Sequence, residues 1–510
     1  MKLKMLEIMK SSRIFLVQRT ILFLRELNSL NAFPIHFLII FLLLNSCGKV
    51  KPLIITKPAH EIVHLHKNNL LVGFGKAIIT PAMPEKRFLK GERIPKKFKI
   101  ALAGYRRKRY ALGVHDDLLS SALVIKVANK SIGIVYLDLL GLHYPHIQAI
   151  REYSNKLGID YLIIAATHNH QGPDTMGLWG TLLKSGINDE YIQFLKVKVH
   201  ESLQNALNNL TPSKMYVHQS SVKHLKLTID LRVPKFVPDI LSTIQFRKKT
   251  DDSVVGTVVH WENHPEALHK YNRLITSDFP HYIRELVEQK TGKPCVYWSG
   301  ALGGLLAPAP EINHKNKKTF LGSFEHAEVI GKLIGQQVLK MQKIAAEVRV
   351  DCFQVLAEKA WMPTTNLFYK IGSKLNILKR KMPKWGYFET EVATIKLGQL
   401  SLQTIPGEIY PELFYGPVIS PKNADFPNAT IEKPVIQKML HGKYRLALGL
   451  ALDEVGYIIP KNGWDNKKPY LNNSKKESYG EELSPGKEFS KNLHQIIEHL
   501  QNIVHNTETK

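Results

Sequence analysis

Cysteine is scarce in this chain: Cys47, Cys295 and Cys352 are the only three in 510 residues. No two share the close CxxC spacing that builds a thiolate metal site, so none is expected. With Cys47 set aside for the reason given below, one pair is left. The sequence leaves open a Cys295–Cys352 disulfide or two buried free thiols. Acidic residues are also short, with 44 Asp and Glu against 70 Lys and Arg, a net charge of +26. Such an excess suits nucleic acid or an anionic membrane surface. The chain has no zinc finger, RNA-recognition signature or basic-region heptad, so no nucleic-acid partner is expected. The excess reads as a Lys-rich, solvated surface. Internal repeats and low-complexity tracts are absent as well.

What is present begins with a targeting segment. Residues 1–32 are basic, and the apolar run Phe33–Leu44 follows. That run is short for a membrane-spanning helix and fits the apolar region of a secretory signal. It ends in Leu44-Asn45-Ser46-Cys47, a pattern like a bacterial lipobox, in which cleavage leaves Cys47 as the lipidated first residue. The expectation is a lipoprotein-type signal over 1–46, a polar linker over 47–69, and an exported chain anchored at a membrane. The alternative is an uncleaved anchor.

At 44% hydrophobic residues the remainder is long enough for a large core. Residues 122–142 read as two strands across an Asn-Lys turn, 145–159 as a helix stopped by Gly158, and 161–167 as a buried strand. A long helix follows from Asp189. Residues 242–264 read as a hairpin across Asp251-Asp252, and 391–408 as two further strands. The fold class is therefore α/β, a mixed α+β arrangement with a large mixed sheet flanked by helices. No long linker interrupts the chain after residue 70, which predicts one large domain over 70–505. Residues 369–386 carry six Lys or Arg and no acid, and read as a solvated excursion, a membrane-facing loop or a lid.

The chemistry gathers where apolar runs end. In "YLIIAATHNHQGPD" a buried strand runs into His168 and His170, with Gly172-Pro173 forcing a turn. Alternate strand residues share a face, so two imidazoles are expected side by side at the strand's end. Neutral imidazole is the commonest metal ligand, against which stands an ordinary pair of hydrogen-bonded histidines. "VVHWENHPEAL" ends a second run with His260 and His264, and "TIPGE" a third with Glu408, where Gly407 permits close backbone approach. "DEVGYIIP" brings Tyr457 after a glycine. Two imidazoles, a carboxylate and an open position describe a catalytic zinc site.

These fragments, with "VGFGKAIITP", "LAGYRRKRYALGVHDDLLSSALVI", "YLDLLGL", "ITSDFP", "GALGGLLAP" and "DEVGYIIPKNGW", occur in an order that resembles the neutral/alkaline, non-lysosomal ceramidase family, in its N-terminal catalytic domain. The resemblance implies a zinc amidohydrolase with one Zn2+ per chain. It implies His168, His264, Glu408 and Tyr457 as metal ligands. It gives His170 and Tyr457 catalytic roles, and Arg232 a role in binding the substrate head or product carboxylate. The "IDLRVP" here lacks the family's Asn before that arginine. Asp138 and Asp278 are expected to support ligating histidines from behind, with turn or cap carboxylates as the alternative. Two departures stand out. The family's Gly-Asp-x-Ser-Pro-Asn is replaced by "GALGGLLAP", with Leu305 and Leu306 for polar residues, and the resemblance leads to the expectation of a chain without the family's C-terminal β-rich domain. The function expected is a membrane-tethered hydrolase cleaving an N-acyl amide, ceramide or a related lipid. A non-catalytic surface lipoprotein binding lipid or glycan, and a zinc esterase acting on cell-envelope material, are the alternatives.

Overall fold

The structure, a computed structural model, describes residues 54–65 and 70–508 apart from 86, 93, 182, 183 and 315. The expected signal segment and its Cys47 lie outside the described residues. Among those described, no helix is long and apolar enough to cross a membrane.

Two sheets face each other. The larger has nine strands. In order they are Cys295–Ser299, Val254–Trp261, Ile240–Lys248, Thr211–Ser221, Leu70–Ile78, Leu119–Val127, Lys130–Leu137 and Tyr161–Ala166, with Ala346–Val348 also on Thr211–Ser221. It is mixed: the two outermost pairs are parallel and the remaining ladders antiparallel. The smaller sheet holds Ile54–Leu65, Cys352–Pro363, Tyr387–Leu397, Leu400–Thr404 and Tyr444–Leu448. Its first strand falls within the stretch read as a polar linker; "IITKPAHEIVHL" carries enough β-branched residues to extend along Cys352–Pro363.

Strand alternation sorts side chains into layers. Ile163 points between the sheets, where it meets a core shared by Val72, Phe74 and Val258 of one sheet and Val355, Ile395 and Leu446 of the other. Its neighbours Leu162 and Ile164 point outward, against the helices Tyr144–Ser154 and Asp189–Asn208. The helices Phe279–Thr291 and Phe324–Gln342 cover another part of the large sheet, and Phe489–Glu508 covers the back of the small one. The sheets are also tied by polar contacts. Glu391, on the small sheet, accepts hydrogen bonds from Tyr144 (2.9 Å), Arg151 (2.9 and 3.0 Å) and Tyr161. Cys295 and Cys352 are both free thiols, which resolves the alternative left open by the sequence.

The basic segment 369–386 is not simply solvated. Arg380 is 3% exposed and pairs with Asp453 through both guanidinium nitrogens, Nη1 at 3.0 Å. Nothing in the local pattern signals a partner 73 residues away. This pair holds the backbone just ahead of Tyr457.

Candidate metal centre

The strand Tyr161–Ala166 ends before either histidine. Thr167 then donates to Leu137 O at 2.9 Å and Asn169 to Leu139 O at 3.0 Å, so the chain still hugs its neighbour. His168 adopts a left-handed φ of +65°. Strand alternation therefore does not bring the imidazoles together, contrary to the expectation; a turn does. The outcome is the same, with ring centroids 4.9 Å apart. His264 arrives from the loop after Val254–Trp261, its ring 4.8 Å from His168 and 5.8 Å from His170. Glu408 opens a two-residue strand paired in parallel with Tyr457–Ile458, and Glu408 stands opposite Tyr457 in register. Gly407 is needed there: a Cβ on it would lie 2.6 Å from Gly456 O.

Hydrogen bonds fix which nitrogens face inward. His168 Nδ1 donates to Leu140 O at 2.9 Å, and His264 Nδ1 to Leu306 O. Each ring therefore turns its Nε2 lone pair toward the centre. Both Nε2 atoms meet one atom, Glu408 Oε2, at 3.3 and 3.1 Å. Three acceptors facing one another require a cation between them, a proton or a metal. His170 adds a fourth inward group: among the described residues neither of its nitrogens has a hydrogen-bond partner, although it is only 8% exposed. His168, His170 and His264 place nitrogens within 4.8 Å of one another, so this buried cluster is able to hold a metal ion.

The electrostatics are those of a buried, charged cluster. Burial alone would raise the Glu408 pKa, but the charges and hydrogen bonds of His168 and His264 hold it well below the ordinary carboxylate range. For His264, burial opposes the charged form, yet Glu408 and Glu266 raise its pKa overall. His170 is held well below its ordinary value, first by burial and then by His168 and His264. Tyr457 is pushed well up by burial and then by Glu408.

Other expected residues are placed differently. The Asp138 carboxylate touches no histidine. It pairs with Arg284 at 2.8 and 2.9 Å and accepts from Ser277 at 2.8 Å, while its backbone carbonyl accepts from Asn169 at 3.1 Å. Asp278 caps Phe279–Thr291 and accepts from Ala267 and Leu268, each at 3.0 Å. The His168 and His264 rings are oriented by backbone carbonyls instead, and the two aspartates brace the loops that carry them. Arg232 lies outside the cluster. Four of its five N–H groups go to Glu481 (3.0 and 2.6 Å), Tyr479 O and Gly463 O (both 2.7 Å), which leaves little for a substrate carboxylate. The Leu305–Leu306 replacement does not remove support for His264, because the Leu306 carbonyl supplies it.

The sequence reading missed Glu266 and Tyr105. Glu266 Oε2 accepts from Tyr105 OH at 2.8 Å and stands 3.6 Å from His170 Nδ1. Arg109 donates to the His170 backbone carbonyl, and Gly104 (φ +101°) passes so near that a Cβ would lie 2.6 Å from the ring. The signal was present in "AGYRRKR" and "HPEAL", but nothing local joins segments 161 residues apart.

No family model and no curated protein matches the chain. Solved structures do. The crystal structure of neutral ceramidase from Pseudomonas aeruginosa superposes with a TM-score of 0.64 and 13% identity, covering 87% of this chain and 75% of that one. A ceramidase complexed with C2 superposes at 0.61 and 13%, covering 86% and 76%. The chain is thus built on the fold seen in neutral ceramidase, here a mixed α/β arrangement around a buried histidine cluster.

Proposed function

We propose that this protein is a zinc-dependent hydrolase that cleaves an N-acyl amide of a lipid, held at a membrane by its N-terminus. The observation that carries the reading is the convergence of His168 Nε2 and His264 Nε2 on Glu408 Oε2, with both Nδ1 atoms committed elsewhere. These three would hold the ion, with Tyr457 beside Glu408. A bound zinc ion lowers the pKa of water toward about 7 and polarises a carbonyl.

The rest falls to the chain. His170 is neutral near pH 7, because burial and its neighbours depress its pKa. With Nδ1 facing Glu266 at 3.6 Å, its Nε2 is the nitrogen left to accept a proton and pass it to the leaving amine. Glu266 and Tyr105 hold that ring in place. Tyr457, kept protonated by burial and Glu408, donates a hydrogen bond to charge developing on the carbonyl oxygen.

Purified protein should contain about one zinc per chain, lost in His168→Ala, because a catalytic zinc has only about three protein ligands and tolerates the loss of none. Turnover of a fluorogenic N-acyl amide should vanish with a chelator and return with zinc. Full zinc in His168→Ala would defeat the ligand assignment. Zinc without turnover on amides or esters would favour a lipid-binding surface protein, and turnover confined to esters would favour the esterase.

A further inference from the structure

A file of rings leads away from the histidine cluster. Tyr105 stands edge-on to His170 at 5.2 Å, His269 lies 5.2 Å beyond, and Tyr271 5.5 Å beyond that. The file begins in the buried interior and ends in water, for Tyr271 is 67% exposed. A Cβ on Gly322 would lie 3.6 Å from the Tyr271 ring, which sets that ring beside the end of the hairpin Glu311–His314 and Lys317–Phe320. Phe320, on that hairpin, is 55% exposed. Single apolar groups on a surface are ordinary; two large exposed rings on neighbouring surface segments at the outer end of such a file mark a contact surface.

The charge left unpaired around them is positive. Arg109 lies beneath, donating to Asn272 O at 3.0 Å and 5.0 Å from the Tyr105 ring. Its pKa is pushed down to about 10, by burial and then by the nearby Arg106 and Arg273. Arg273 is lowered by burial and by Arg106. Lys270 Nζ sits 5.4 Å from the Tyr271 ring, and Lys108 is exposed on the same loop as Arg106. Among the described residues no acid forms an ion pair with Arg106, Lys108, Lys270 or Arg273, whereas Lys317 and Lys318 on the hairpin are paired with Glu325 and Glu311. Gathering four cations without acids costs free energy that an anionic partner returns.

Rings at the tip with a basic rim match a lipid headgroup layer, where aromatic side chains settle at the boundary and Lys and Arg meet phosphates. We propose that this face docks on an anionic bilayer, with Tyr271 and Phe320 at headgroup depth and Arg106, Lys108, Lys270 and Arg273 against lipid phosphates. The ring file then joins the bilayer to the histidine cluster. The docking does not depend on which bond is cleaved, nor on zinc.

Hydrogen exchange of the full chain tests it, with vesicles of phosphatidylglycerol and phosphatidylcholine compared with phosphatidylcholine alone. Any contribution of residues 1–53 is common to all forms, so only local protection counts. Amides of 104–112, 268–274 and 317–322 should exchange about tenfold or more slowly with anionic vesicles. The protection should fade in about 0.5 M salt, and disappear in both R106E/R273E and Y271S/F320S with exchange elsewhere unchanged. Protection that survives in both double variants would overturn the proposal, as would none in the wild-type chain, or equal protection by single-stranded DNA or inorganic phosphate.

Discussion

His168 carries the geometry at the level of single residues. A left-handed backbone costs a residue with a Cβ about 1 kcal/mol or more, and here the cost is offset by the Nδ1 bond to Leu140 O and the pinning of Thr167 and Asn169. Gly104 does the complementary work for His170. Gly104→Ala puts a methyl where the ring now stands, at a φ that disfavours any Cβ. The expected result is unchanged zinc content with kcat lowered about ten- to a hundredfold, since displacement of about 1 Å is enough for that. Zinc stoichiometry measured beside kcat checks it; equal loss of both would mean the glycine supports the metal rather than His170. The residue types were legible because imidazoles and a carboxylate past apolar runs are uncommon in ordinary cores. The left-handed turn was not, because φ is fixed by hydrogen bonds to a strand 30 residues earlier. For the same reason Asp138 and Asp278 were expected behind the histidines and Arg232 at the substrate, while the structure commits each to other partners.

Elements were easier to foresee. The strands Leu119–Val127 and Lys130–Leu137, the helix Tyr144–Ser154 with the short turn after it ended by Gly158, and the helix capped by Asn188 all follow from periodicity and local caps. Arg380 shows where such reading stops, since a basic run looks solvated until its acid is brought to it. Glu358 is a second buried charge that no pattern revealed. It sits mid-strand in Cys352–Pro363 with neither oxygen hydrogen-bonded among the described residues, and His499 Nε2 is 3.7 Å away. Burial pushes its pKa up to about 7. A raised carboxyl pKa means the folded chain holds the extra proton between its ordinary value near 4.5 and about 7. Stability from this group is therefore present at low pH and lost as pH rises through that window. Glu358→Gln should raise stability at pH 8 by on the order of 2 kcal/mol, and hardly at all near pH 4. Thermal melts across pH decide it; an equal shift at both ends would mean the carboxyl is not desolvated.

For the whole molecule, the centre sits where the two sheets meet. His168 and His170 follow the edge strand of the large sheet, His264 another of its strands, and Glu408 the strand Leu400–Thr404 of the small one. Ala165, on that edge strand, bridges to Ala451, just past the small sheet's strand Tyr444–Leu448. An ion drawing ligands from both sheets stabilises the folded chain by its own binding free energy. Chelation should lower the melting temperature of the wild-type chain and leave His168→Ala unmoved, a difference read in one calorimetric series. Sequence reading foresaw a mixed α/β fold with a large mixed sheet, yet not that a second sheet faces it. Which strands pair across such distances depends on contacts between segments far apart in the chain.

Anomalous diffraction at the zinc edge from crystals of the purified chain tests the central claim most directly. One peak within about 2.0–2.3 Å of His168 Nε2, His264 Nε2 and Glu408 Oε2 is the result predicted. A zinc-replete crystal with its peak elsewhere, or with those three side chains still bonded only to one another, would contradict it.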